Sequence, residues 1–231
     1  MPVFRGASYS TQARAFKAGA LLYSRSVPTK MCLIIKKPSG RTLPEDFLAE
    51  TWRGNHDGWG YSYLTGSGLY IERGMSLDLL LARCQGLPVD VEVFLHLRKA
   101  TAGVITDEMA HPYIVRHGMV LMHNGTIANL VPPCRIKSDS WKLARLLGDM
   151  LQSLSDLQSA HLIRTEGFAA MLSALIAQSR VVLLDAHGAV LFGQGWHTVS
   201  EAEWSAEMDG ILVSNTTAWT PRNRKNTEKQ G

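Results

Sequence analysis

The sequence predicts one α/β (α+β) domain built on hairpins, with sheets that are largely antiparallel. Three observations carry this. Apolar strand-like runs alternate with segments of helical period from Cys32 to about residue 220. Three pairs of apolar runs are joined at Gly66-Ser67, at His117-Gly118 and at Ala186-His187-Gly188, which is the pattern of β-hairpins. No internal repeat and no long linker divides this stretch.

Taken in order, "CLIIKK" (32–37) is a short apolar strand. "LPEDFLAETWRG" predicts a helix with Leu48 and Trp52 one turn apart on one face. "GWGYSYLTGSGLYIERG" is the first hairpin. "SLDLLLARCQGLP" predicts a helix opened by Ser76 as N-cap and stopped by Gly86 and Pro88. "VEVFLHLRKAT" alternates as a strand, and "YIVRHGMVLMHNG" is the second hairpin. "SDSWKLARLLGDMLQSL" predicts a helix with Leu143, Leu146, Leu147 and Met150 on one stripe, and "GFAAMLSALIAQS" predicts another. "RVVLLDAHGAVLFGQG" is the third hairpin, "GILVSN" a late strand, and 221–231 a polar tail.

A chain of 231 residues can bury roughly 70% of its unfolded surface. Hydrophobic residues are 45% and charged residues 19%, as in ordinary globular domains. No run approaches the roughly 18–20 apolar residues that span a bilayer. The cysteines, Cys32, Cys84 and Cys134, are odd in number and form no CxxC, which fits a reducing cytoplasm better than a disulfide framework. Residues 1–30 carry five cations and no acid, so the formal charge of +4 becomes −1 once they are set aside. The body therefore offers no case for nucleic-acid binding. Segment 1–31 reads as a leader: a cleaved propeptide, a targeting segment, or codons upstream of the true start at Met31.

Polar clusters stand at the predicted strand ends: "RGNHDGWGY" (53–61), "HLRKATAG" (96–103), "HPY" (111–113), "HNGTIAN" (123–129) and "SDSW" (138–141). Each has a plain structural reading. "HNG" and Asp57-Gly58 suit turns. Ser138 or Asp139 suits a helix N-cap. Arg98 suits a solvated strand, and Cys32 a small buried hydrophobe. His96, His111, His117 and His123 fall within 28 positions, but they form no HExxH and have no carboxylate cluster beside them, so no metal is expected. His96 and His123 are expected to orient strand ends by hydrogen bonding. Cys84, on an apolar helix face, and Cys134, in a Pro-rich loop, receive no role.

In combination and in this order, a cysteine after a methionine, "DGWGY", "HLRKAT-G", "HP", "HNG--AN" and "SD" resemble the class II glutamine amidotransferases, which are N-terminal-nucleophile (Ntn) hydrolases. The resemblance is to their compact stand-alone branch. It runs from Cys32 to about Trp141, with a weaker echo at "LVSNT" (212–216). It implies a four-layer αββα sandwich, with 32–220 as one glutaminase domain needing no cofactor. Cys32 would attack the glutamine side-chain amide, with its own α-amine as base. Asn124, through its side-chain amide, and Gly125, through its backbone N–H, would form the oxyanion hole. Arg98 would clamp the substrate α-carboxylate, Thr101 would support it, and Asp139 would pair with the α-ammonium. Lys99 departs from the aromatic residue that many members carry there, and Ala102 stands where many carry a histidine or small residue. Ammonia released through a Cys32 thioester would pass to a separate synthase partner. The same resemblance leaves open a γ-glutamyl peptide amidohydrolase. A silent glutamine- or partner-binding module remains the reading of another class.

Overall fold

The computed structural model describes residues 31–222. The leader, residues 1–30, and the tail from residue 223 lie outside the described residues. The elements run β1 (Leu33–Lys37), α1 (Glu45–Trp52), β2 (Trp59–Thr65), β3 (Gly68–Gly74), α2 (Leu77–Gln85), β4 (Val93–Leu97), β5 (Tyr113–Arg116), β6 (Met119–Asn124), α3 (Asp139–Leu151), α4 (Asp156–Leu162), α5 (Glu166–Ile176), β7 (Arg180–Asp185), β8 (Gly188–Phe192), β9 (His197–Thr198) and β10 (Leu212–Val213). The strands form two antiparallel sheets, ordered β3-β2-β4-β1-β10-β9 and β5-β6-β7-β8. The three predicted hairpins are β2–β3, β5–β6 and β7–β8.

Alternation along the strands sorts their side chains into layers. On β1 and β4, Leu33, Ile35, Val93, Leu95 and Leu97 join an outer core with Phe47 and Leu48 of α1 and Leu80 of α2. On β6 and β7, Leu121, Val181 and Leu183 join a second outer core with Leu143 and Leu147 of α3 and Leu172 of α5. The alternate residues Ile34, Phe94, Val120, Met122, Val182 and Leu184 meet between the sheets. The result is helices, sheet, sheet, helices: the αββα sandwich that was expected. Central strands apolar on both faces explain the unbroken runs in "CLIIKK" and "RVVLLD". Each fully buried Ile or Leu there contributes roughly 1.5–3 kcal/mol.

Several expectations need local correction. The stripe of α3 is Leu143, Ala144, Leu147 and Leu151, whereas Leu146 is 46% and Met150 40% exposed. The helix presents a face rotated from the expected one: Ala144 joins the core shared with β5 and β6, and Leu146 and Met150 do not. β4 stops at Leu97, short of the predicted "RKAT". There the Arg98 guanidinium donates to the carbonyls of Ala102 and Val104 and curls the chain out of the sheet. Only Leu212 and Val213 of "GILVSN" form a strand. The Asn215 carboxamide then accepts from the Thr217 N–H and hydroxyl, which turns the chain away. Helix α4 was not predicted, although Ser155 and Gln158 form a capping box at its start. Ser76 caps α2 as expected, and Ser138 caps α3. Lys37 is buried, and its ammonium donates to the carbonyls of Arg41 and Val91 at 3.1 and 2.8 Å. This ties the far end of β1 to the loop before β4.

Gly60 fixes how the sheets meet above the site. A Cβ there would collide with the carbonyl oxygen of His111 and crowd that of Glu72. Both neighbours are backbone and cannot swing aside. We expect Gly60→Ala to lower the unfolding free energy by about 1–3 kcal/mol, read as a lower urea midpoint at constant m-value. An unchanged midpoint would mean that the sheets separate there without cost.

Candidate active site

The site forms where strand alternation and strand ends coincide. Cys32 precedes β1 and shares the parity of Ile34, so it faces the space between the sheets. His96 on β4 and Asn124 at the end of β6 share the inner parity of Phe94 and Met122. Ser214, just past β10, completes the set. Its hydroxyl accepts the Ile34 N–H at 2.8 Å and an Asn124 side-chain N–H at 2.7 Å. One buried hydroxyl thus ties the two sheets beside Cys32.

The "DGWG" segment shapes the opposite wall. The Arg98 N–H donates to the Gly58 carbonyl at 2.8 Å, and the Asp57 N–H donates to the Arg98 carbonyl at 3.0 Å. The buried Asp57 carboxylate accepts the Ala100 N–H at 2.9 Å and lies 3.5 Å from the Lys99 ammonium. These contacts aim the Lys99 peptide at the nucleophile. The Cys32 thiol donates to the Lys99 carbonyl, and the Lys99 N–H donates back to the sulfur, each at 3.2 Å. Asn215 donates to the Cys32 carbonyl at 2.7 Å and fixes the residue from the other side.

Burial pushes the Cys32 thiol up to about 11. The Lys99 N–H and the Arg98 charge pull it down, and the Asp139 charge pushes it up. Both charges therefore act on the sulfur. Arg98 is 2% and Asp139 3% exposed. Arg98 donates from Nη1 to Val104 at 2.9 Å and from Nη2 to Ala102 at 3.1 Å. A guanidinium has five N–H groups, so these two bonds leave three for a ligand. Asp139 accepts the Ile127 N–H at 2.7 Å and the Ser140 N–H at 2.9 Å. Each oxygen keeps a free lone pair. Asn124 spends one amide hydrogen on Ser214 and retains another, while its Oδ1 is buried without a partner. Gly125 has φ +135°, and a Cβ there would overlap the Ser179 hydroxyl. Only glycine fits this close approach. Thr101 is exposed, and its hydroxyl lies 3.4 Å from that of Thr126; the Arg98 guanidinium bonds instead to Ala102 and Val104.

The structure therefore brings Cys32, Arg98, Asn124, Gly125 and Asp139 around one end of the inter-sheet layer, with Thr101 on the rim loop. Sequence reasoning gave no role to Asp57, Ser214 or Asn215. "DGWG" and "LVSNT" held the signal, since polar residues at strand ends mark where the chain can bond across elements. The plain readings of Arg98 as solvated and of Asp57 as only a turn residue do not survive their burial. Cys84 is buried in the α2 core and Cys134 is exposed. Among the described residues, no group of three or more His, Cys, Asp or Glu is placed to hold a metal ion. No described helix is long and apolar enough to cross a membrane.

Three histidines underlie the site. His96 Nε2 donates to the His123 carbonyl at 3.1 Å, the strand-orienting bond that was expected. His123 Nδ1 lies 2.7 Å from the Ser140 hydroxyl. The His111 ring lies 3.9 Å from that of His96, and both its nitrogens are buried without partners. Burial pulls His96 down to about 3, His123 to about 4 and His111 well below the usual range. Sharing its pocket with His96, His123 and the Arg98 charge adds to the cost of protonating His111.

No protein-family model matches the chain, and no curated protein matches it. Among solved structures, the glutamine phosphoribosylpyrophosphate amidotransferase of B. subtilis, complexed with ADP and GMP, is similar with a TM-score of 0.46 and 16% identity. The match covers 81% of this chain and 42% of that one, so the chain spans less than half of that enzyme's length. A glutamine aminotransferase class-II domain protein from Silicibacter pomeroyi is similar with a TM-score of 0.41 and 15% identity, over 82% of this chain and 90% of that one. Neither likeness bears on which residues react.

The buried histidines predict an acid-sensitive fold. Their folded pKa values lie below the unfolded value of about 6.5, so their contribution is complete above pH 6.5 and is lost as pH falls toward 3–4. Each histidine contributes a slope of up to about 1.4 kcal/mol per pH unit in that window. Urea unfolding at pH 7, 6 and 5 should show the loss, and His111→Gln should flatten it. An equal slope in the variant would remove His111 from the account.

Proposed function

We propose that the chain cleaves γ-glutamyl amide bonds through a thioester on Cys32, with glutamine as the simplest substrate. This is the activity implied by its sequence resemblance to class II glutamine amidotransferases. The observation that carries the reading is a half-buried thiol acted on by a buried Arg and a buried Asp, opposite a buried amide side chain. Opposite charges flanking a nucleophile suit a free amino-acid head group. Arg98 takes its α-carboxylate with the N–H groups left over, and Asp139 takes its α-ammonium. Asn124 and Gly125 then face the developing oxyanion, where one such donor is worth about 2.7–4 kcal/mol.

The base follows from what the sulfur lacks. Its hydrogen bonds go to the Lys99 backbone, with no basic side chain among them. A thiol near 11 is ionised at only about one part in ten thousand at pH 7. An α-amine with a pKa near ~7.7–8.0 on the same residue supplies the missing base. While Met31 is joined to Cys32, that nitrogen is an amide and cannot serve. The active form on this reading begins at Cys32. The thiol proton passes to the amine and then to the departing ammonia, for which a separate acceptor enzyme is the proposed destination. Water hydrolyses the thioester and frees glutamate.

On this reading Cys32→Ala abolishes turnover but still binds glutamine. Arg98→Lys raises KM by about 30-fold, because the planar bidentate clamp is lost. Glutaminase activity surviving in Cys32→Ala would sink the assignment. A chain starting at Met31 should be alkylated by iodoacetamide at least about tenfold more slowly at pH 7.5 than one starting at Cys32. The two rates should converge as pH approaches 11. Equal rates at pH 7.5 would exclude the α-amine as base and favour the silent binding module.

A further inference from the structure

Asn124 and Gly125 are fixed in different ways. Gly125 is fixed through its backbone: at φ +135° it lies so close to the Ser179 side chain that no Cβ fits. The useful part of Asn124 is its side chain. The last torsion of a carboxamide has broad, roughly two-fold wells, so burial by itself does not choose the plane of the group. Its Oδ1 has no partner. Among the described residues a single hydrogen bond holds the carboxamide, from Nδ2 to the Ser214 hydroxyl at 2.7 Å.

Ser214 is in turn tied to the strand that carries the nucleophile. Its hydroxyl accepts the Ile34 N–H at 2.8 Å, and its own N–H donates to the Ile34 carbonyl at 2.9 Å. Ile34 stands two residues after Cys32. The next residue, Asn215, donates to the Cys32 carbonyl at 2.7 Å. The Asn215 Oδ1 is taken by the N–H and hydroxyl of Thr217, which fixes that amide as well. The Ser214-Asn215 pair thus grips β1 at Cys32 and at Ile34. The same serine hydroxyl reaches Asn124 in the other sheet.

Little else could set this distance. The apolar contacts of Ile34, Val120, Met122 and Val182 hold the sheets together, but such contacts carry no direction. The His96–His123 bond also crosses the layer, yet it ends on a backbone carbonyl and leaves the Asn124 side chain untouched. Ser214 is separate from the rest of the site. The thiol bonds to the Lys99 backbone. Arg98 bonds to Ala102 and Val104, and Asp139 to Ile127 and Ser140.

We infer that Ser214 is a positioning residue for the oxyanion site. Its hydroxyl sets the plane of the Asn124 carboxamide and the distance of that amide from Cys32. This rests on the proposed Cys32 chemistry. A donor aimed at an oxyanion counts most when charge has built up on the oxygen. Ser214 therefore acts on the transition state, while head-group binding stays with Arg98 and Asp139.

Steady-state glutaminase kinetics on the chain beginning at Cys32 test this. Ser214→Ala should lower kcat about 10- to 100-fold and leave KM within about threefold. Alkylation of Cys32 by iodoacetamide should stay within about twofold of the parent rate, since the sulfur does not bond to Ser214. A serine that only held the fold together would move kcat, KM and alkylation as one. In an Asn124→Ala background, adding Ser214→Ala should change kcat by less than about twofold, because the group it positions is already gone. Should Ser214→Ala not fold, Ser214→Cys, close in shape but a weak acceptor, is measured in its place. An unchanged kcat in the single variant, or losses that multiply in the double variant, overturn the inference and leave the Cys32 reading standing on the activity of the parent. A parent chain without glutaminase activity overturns both.

Discussion

The two-residue period of the β-strand is the constraint on which the site depends. Ile34, Phe94, Met122 and Val182 point between the sheets, so His96 and Asn124, two residues further along the same strands, and Cys32, just before β1, face the same way. A slip of one residue in β1 against β4 would turn Cys32 toward the helices. The full pairing from Leu33↔Leu97 to Lys37↔Val93 opposes that slip, and the outer cores penalise it with every buried leucine turned out. The reactive geometry is thus fixed by the same burial that stabilises the sandwich.

The second organising fact is the dryness of that end of the layer. An arginine, an aspartate and three histidines sit largely out of water beside the half-buried thiol. Each survives through a different compensation. Asp139 uses two backbone N–H groups, Arg98 uses two loop carbonyls, and the histidines remain neutral. The loop carbonyls are polar but carry no net charge, so Arg98 stays electrostatically open to an anion. Satisfied yet not neutralised groups suit a binding site better than closed ion pairs such as Arg164–Asp185, whose two oxygens meet two guanidinium nitrogens at 2.8 Å each.

Much of this was legible in the sequence. The hairpins, the helix caps at Ser76 and Ser138, and the central strands follow from apolar period and turn chemistry. The layering was available only from the resemblance, because alternation gives faces and not which faces meet. The site residues were legible as polar clusters at strand ends. What they bond to was not, since Asp57 to Ala100 and Asn124 to Ser214 join positions 43 and 90 residues apart. Helix α4 was missed although its capping box is visible, because seven residues show too little period. In the sequence Arg180 is only the first residue of a hairpin. Its register against Asn124 appears only when the sheet is assembled.

Asn215 grips the Cys32 carbonyl across 183 positions of chain, and Ser214 reaches Ile34 across 180. During synthesis from the N-terminus, residue 32 emerges long before residue 215. Until the last strand docks beside β1, the cysteine lacks its carbonyl anchor, and Asn124 lacks the hydroxyl that holds it. Assembly of the reactive end is therefore a late event, coupled to completion of the six-stranded sheet. A half-made chain carries the thiol but not the pocket that would let it act.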